Sequence, residues 1–199
     1  IDHRCITAVA EAAPSHLLWL DANQAYTPTS LLPLLDRIRF MRNIICLEQP
    51  VPSVDWLGMA SIRQRSHLPL AIDEGCFSIY DIARLTKLDV ADMVVLKAGK
   101  SGGLWPVLQS ATVAQAHGLD LLGSGLTDAG VGLTAAVHAF STINLRLPAE
   151  LNGPQFLEDL MVDGLEINHA NVTVPDGPGL GVTVKEDAIR DCAVHTAEL

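Results

Sequence analysis

Basic residues are scarce in this chain. Lys and Arg number 13 against 23 Asp and Glu, a formal charge of −10. No basic stripe is present to neutralise phosphates, which excludes a nucleic-acid partner. A small anionic substrate remains compatible, because a local metal and a lysine can outweigh the global charge. The four cysteines (Cys5, Cys46, Cys76, Cys192) show no CxxC spacing and no metal-finger pattern. Cys46 lies inside an apolar run, where cysteine behaves as a small hydrophobe. Free thiols in a reducing cytoplasm are therefore expected. The opening IDHRCITAVAEAA lacks the basic region and apolar core of a secretory signal. No run approaches the ~18–20 apolar residues of a membrane span. Low-complexity stretches and linkers are missing too. These absences predict a soluble cytoplasmic protein with no membrane partner.

Against that background stands a regular alternation. Apolar runs at 17–22, 44–48, 70–73, 92–97 and 119–123, with a short one at 148–151, read as strands buried on both faces. Between them apolar residues recur at helical spacing, as in Leu31, Leu32, Leu35, Ile38 and Met41 after Thr27-Pro28. Helices are expected near 54–65, 78–86, 103–117 and 129–143, and an opening one runs to Ala13. Strands alternating with helices mean βα units and a parallel sheet, an α/β fold of the (β/α) barrel type. The barrel portion is expected over 1–156. From about Leu157 the pattern changes: GLEINHANVTVP reads as a small hairpin, followed by the turn cluster DGPGLG. The tail, 157–199, is expected to pack outside the barrel, as a flap or against another domain.

The charges fall at the ends of these runs. Asp21 closes LLWLD, Glu48 closes IICLE, Asp73 closes PLAID and Lys97 closes MVVLK, each about 25 residues after the last. In a (β/α) barrel the C-terminal strand ends surround one mouth, where the active site sits. Three hard oxygen ligands with open positions left over suit Mg²⁺, or Mn²⁺ in its place, rather than zinc. Any one of the three alone would read as an ordinary cap or loop carboxylate. Lys97, at the end of an apolar run, is costly there unless it has a partner or a task, and it suits an acid/base role. Lys100, in a Gly-rich loop, reads as solvated.

Weaker candidates line the same positions. Asn23 follows Asp21 and could hold it by a hydrogen bond, or simply shape a turn. Glu74 could pair with a lysine or cap the next helix. Glu150, at the last strand end, and Ser124 and Asp128, after 119–123, could line a substrate pocket. His117 and His138 fall on predicted helices and read as structural. The segment AGKSGG echoes a phosphate-binding loop, but Val94 stands where that pattern needs glycine, and GSGLTDAG has Asp128 at its third glycine position.

DANQAY, LEQPV, AIDEG, LKAGKSGG and ELNGP, in this order and spacing, resemble the barrel of the enolase superfamily. Within it the chain is similar to the mandelate racemase/muconate-lactonising enzymes, of the muconate cycloisomerase type. The resemblance implies that Asp21, Glu48 and Asp73 bind Mg²⁺ and that Lys97 is one of two facing acid/base lysines. It places Glu150 at the glutamate associated with the substrate pocket. The implied activity is isomerisation of a small carboxylate: a cycloisomerase, racemase or epimerase that removes an α-proton through a metal-stabilised enolate. A lyase or dehydratase of the same superfamily, or a non-catalytic metal-binding fragment, stay open as alternatives.

The resemblance also implies a partner lysine and an α+β cap upstream of Ile1. A complete barrel usually needs roughly 250 residues. The chain is therefore expected to be the C-terminal part of a longer protein, a homo-oligomer when full length.

Overall fold

Apolar runs become short strands, and the amphipathic stretches between them become helices that each bury one face. The computed structural model describes residues 2–194, so the tail expected over 157–199 is described to Val194 and its remainder lies outside the described residues. Helix α1 (Asp2–Ala12) leads to β1 (Leu18–Asp21), α2 (Pro28–Ile38), β2 (Ile44–Glu48), α3 (Trp56–Arg63), β3 (Leu70–Ile72), α4 (Ile79–Lys87) and β4 (Met93–Leu96). After these come α5 (Ala98–Ser101), α6 (Leu104–Ala116), β5 (Asp120–Gly123), α7 (Gly130–Ser141) and α8 (Gly153–Phe156). The tail holds β6 (Val162–Asp163), β7 (Ile167–Asn168), β8 (Asn171–Val172), β9 (Thr183–Val184) and α9 (Glu186–Cys192).

The main sheet runs in the order β1-β2-β3-β4-β5, and β1–β2, β2–β3 and β3–β4 pair in parallel. Strands β3 and β4 are buried at every position, which is why their sequences are unbroken apolar runs rather than alternating ones. Helix α2 starts where the sequence places it. Thr27 caps it in a reciprocal box with Ser30, and Pro28 occupies the first turn, where no intrahelical N–H is needed. Its buried face is Leu31, Leu35 and Ile38, each contributing about 2 kcal/mol of apolar burial. Helix α4 repeats the device with Ser78 and Asp81, burying Ile82 and Leu85.

Two compact units divide the chain. One runs to Val95 and includes Gln109–Leu122; the other holds Leu96–Leu108 and the described residues from Gly123 on. Three features of the second unit were not foreseen. A short helix, α5, begins directly after Lys97 and ends at Gly102, whose φ of 90° is the left-handed turn that glycine adopts without strain. The strand expected at 148–151 shrinks to an isolated parallel bridge between Ser124 and Glu150. Pro148 has no N–H to donate, and Asn152 already turns into α8. The tail forms a second antiparallel pair, β6 with β9, besides the expected hairpin of β7 and β8. Among the described residues, no helix is long and apolar enough to cross a membrane. All four cysteines are free.

Candidate metal and substrate site

The first unit carries the three carboxylates on neighbouring strand ends. Asp21 is the register partner of Glu48, and Glu48 is the partner of Ala71. Asp73 directly follows β3, two residues after Ala71, where strand alternation carried past Ile72 would set it on the face shared by Glu48 and Asp21. Neighbouring strands lie about 4.8 Å apart. Glu48 and Asp73 are buried, at 4% and 3% exposure, whereas Asp21 is exposed. A further carboxylate oxygen, Oε2 of Glu74, is buried without a hydrogen-bond partner, and α4 is capped by Ser78 rather than by Glu74.

The backbone beyond these strand ends is tightly tied. The amide of Ala22 donates to the Glu48 carbonyl, that of Gln24 to the Gln49 carbonyl, and that of Gln49 to the Ala71 carbonyl, at 3.0, 2.7 and 3.0 Å. Asn23 donates to Asp21 twice, from its amide to Oδ1 and from Nδ2 to Oδ2, both at 2.8 Å. Asn23, Gln24 and Gln49 all have positive φ (42°, 64° and 32°), conformations that non-glycine residues adopt at a cost and that cluster at functional sites.

Three hard oxygen donors at successive strand ends, two of them buried, fit a small divalent cation such as Mg²⁺. Among the described residues no group of three His, Cys, Asp or Glu side chains stands as a ready-made ligand set. Strand register thus sets Asp21 beside Glu48, with Asp73 just past the end of the next strand, without closing their side chains around a point. Asp21 is already engaged through both oxygens by Asn23, although a carboxylate has lone pairs enough to serve a cation as well.

The Glu48 charge is felt by its neighbour on the same face. Burial first, and Glu48 second, push the Cys46 thiol up to about 12. Gln49 is the residue that sequence reasoning missed. It is completely buried, yet polar, within the run from Cys46 to Val51. That polar interruption, directly after a candidate ligand, was the available signal.

In the second unit, Lys97 is half-buried and directly follows β4, preceding α5 with no side-chain cap bond. The amide of Ser124 donates to the carbonyl of Leu96 at 2.9 Å, which sets Ser124 beside the residue before Lys97. The Ser124 hydroxyl, 4% exposed as a residue, donates to Oε2 of Glu150 at 2.6 Å, the short distance of a bond to an ionised acceptor. Ser124 and Glu150 are therefore brought together, as two strand-end positions should be. Asp128 shapes its own loop by accepting from the Leu126 amide. His138 lies in α7 with Nε2 3.0 Å from the Leu180 carbonyl, and His117 follows the end of α6. His138 thus sits on a helix and His117 directly after one.

Comparisons with known proteins bear on the family and the fold. Residues 1–188 match the family described as enolase C-terminal domain-like. The chain is 30% identical over 195 residues to N-succinyl-L-Arg/Lys racemase of Bacillus cereus, covering 97% of this chain and 52% of that protein. The crystal structure of muconate lactonizing enzyme from Klebsiella pneumoniae superposes with a TM-score of 0.90 at 31% identity, over 96% of this chain and 54% of that one. A dipeptide epimerase from Cytophaga hutchinsonii, complexed with Mg and the dipeptide D-Ala-L-Val, superposes with a TM-score of 0.86 at 26% identity, over 96% of this chain and 52% of that one. The chain thus spans about half the length of the relatives it matches. It belongs to the enolase C-terminal domain-like family, among the mandelate racemase/muconate-lactonising enzymes.

Proposed function

We propose that the protein containing this chain isomerises a small carboxylate by moving a proton on the carbon next to the carboxylate. The observation that carries this reading is the register of Asp21 with Glu48, and Asp73 directly past the end of the next strand. Asp21, Glu48 and Asp73 would hold Mg²⁺, the ion bound in the epimerase that the chain resembles. The bound ion would supply positive charge against the substrate carboxylate, easing loss of the α-proton. Asn23 holds the Asp21 carboxylate in place through its two bonds. Lys97, at the end of β4, takes or returns the proton through its amine. Glu150 and Ser124 bind substrate, the Ser124 hydroxyl fixing one Glu150 oxygen and leaving the other free to accept.

Racemisation, epimerisation and cycloisomerisation share this first proton transfer, and relatives of all three kinds support it. The test uses the full-length protein in D₂O with Mg²⁺ and three probes: muconolactone, an N-succinyl amino acid and an Ala-containing dipeptide. Deuterium should enter one substrate at the carbon beside the carboxylate, as followed by proton NMR. A Lys97→Ala variant should lose exchange on one stereochemical face while still binding that substrate. Unchanged exchange kinetics would remove Lys97 from the reaction.

A further inference from the structure

Gln49 uses every polar group it has, and together they tie the ends of β1, β2 and β3. Its amide donates to the carbonyl of Ala71 in β3, and its carbonyl accepts from Gln24, three residues past Asp21. Its side-chain oxygen accepts from the amides of Asp73 and Gly75 at 3.0 and 3.1 Å. Its side-chain nitrogen donates to the carbonyl of Val51 at 2.9 Å. These partners leave no ambiguity about the amide's orientation, because the oxygen faces two donors and the nitrogen faces an acceptor. The residue is completely buried and sits at a φ of 32°. A buried polar chain in a strained backbone persists only where its bonds over-determine it.

The chemistry is selective for glutamine. The position needs one acceptor for two N–H groups and one donor for a carbonyl, at the end of a chain long enough to pass from β2 to the loop after β3. Asparagine is one methylene shorter, glutamate has no donor, and lysine has no acceptor.

We propose that Gln49 is a positioning residue that locks the candidate ligand Asp73 to the strand carrying Glu48. The three strand ends then present their carboxylates as one unit. This inference rests on the reading of Asp21, Glu48 and Asp73 as a metal site. Gln49 touches neither substrate nor metal; it acts by pinning the backbone from which Asp73 projects, and losses of such outer partners typically weaken metal sites by about 10–100-fold.

The test measures Mn²⁺ binding by the loss of the free-ion EPR signal, and amide hydrogen exchange at Asp73 and Gly75, in the full-length protein. Gln49→Met, similar in shape but without either polar group, should weaken Mn²⁺ binding about tenfold or more and speed exchange at both amides. Ile62→Val, a core change in the same unit, should lower stability yet leave both readouts alone, which separates positioning from general loosening. A folded Gln49→Met variant with wild-type Mn²⁺ affinity would overturn the proposal. If Gln49→Met does not fold, Gln49→Asn, one methylene too short to reach both amides, should lose their protection and weaken Mn²⁺ binding, and wild-type Mn²⁺ affinity in that variant would overturn it equally. Wild-type protein that binds no Mn²⁺ would instead overturn the metal reading, and with it the purpose assigned to Gln49.

Discussion

The two ends of the first unit's sheet treat their charges in opposite ways. At the N-terminal ends of β3 and β4, Arg63 donates from Nε and Nη2 to Asp92 at 3.1 and 2.8 Å and pairs also with Asp89. The second Asp92 oxygen accepts from the amide of Leu70 at 2.8 Å. Burial tends to lower the Arg63 pKa, but its bonds to Asp92 and the nearby charges of Asp92 and Asp89 raise it overall. There Asp89 and Asp92 share one guanidinium. At the C-terminal ends, Asp21 and Glu48 are register partners of the same sign, an arrangement that is destabilising in itself. Three residues with positive φ follow them. One end ties its carboxylates to a guanidinium and an amide; the other sets two carboxylates side by side and follows them with strained backbone, as functional ends do.

The sharpest way to break this contrast is to neutralise the like-charged end. Asp21→Asn, Glu48→Gln and Asp73→Asn should each lower Mg²⁺ or Mn²⁺ affinity by more than about 100-fold, since loss of an outer partner alone costs about 10–100-fold. Activity should vanish with it. Without metal, Asp21→Asn should also melt somewhat lower, because it loses the bond from Asn23 Nδ2 to Asp21 Oδ2. Titration calorimetry and thermal melts in EDTA read the two effects separately. A variant that melts lower but binds metal normally would show the carboxylates to be structural.

The opposite end should answer in the opposite sense. Asp92→Ala removes the acceptor of the Leu70 amide and the inner partner of Arg63. Leaving a partly buried N–H unpaired is expected to destabilise by about 2 kcal/mol. The Arg63 pair adds a smaller amount, because both side chains are only half-buried and solvent still screens them. Urea unfolding of the full-length protein should show the loss, while Mn²⁺ affinity stays at the wild-type value. Weakened metal binding with unchanged stability would mean that the two ends are coupled.

Most of this division was legible in the amino-acid order. Unbroken apolar runs marked the buried strands, and a carboxylate ending each of three successive runs marked the special end, because strand length and loop length repeat. The Arg63 bonds were not legible: they join residues 29 positions apart, and nothing local in α3 names Asp92 as the partner. Gln49 was hidden for a similar reason, since its side-chain bonds go to Asp73 and Gly75 on another strand's loop. The strand expected at 148–151 misled because ladder pairing depends on amides as well as on apolarity. Pro148 has none to give, and only Glu150 bridges. Residues 157–194 were read for their hairpin, but β6 pairs with β9 across some 20 residues of turns, a distance at which alternation carries no information.

Cys46 offers the smallest and most local probe, because it sits between the sheet's interior and its charged end. It is fully buried two residues before Glu48, and burial, with Glu48 adding to it, pushes its thiol up to about 12. Thiolate is the reactive form, so at pH 8 Cys46 should resist a thiol reagent in the folded protein. Cys76 should resist too, being 3% exposed, while the exposed Cys5 and Cys192 react at once. The same shift carries a sign for stability. With the folded pKa near 12 and the ordinary value at 9.0, the unfolded chain loses its proton first. This contribution is complete below pH 9 and is lost as pH rises through that window towards 12. Glu48→Gln removes the smaller cause and leaves burial, so it should narrow the window slightly without making Cys46 reactive at pH 8. Labelling followed by mass spectrometry of the two proteins decides it. Rapid modification of Cys46 in the Glu48→Gln protein would mean that the charge at the strand end, and not the packing beneath it, had been protecting the thiol.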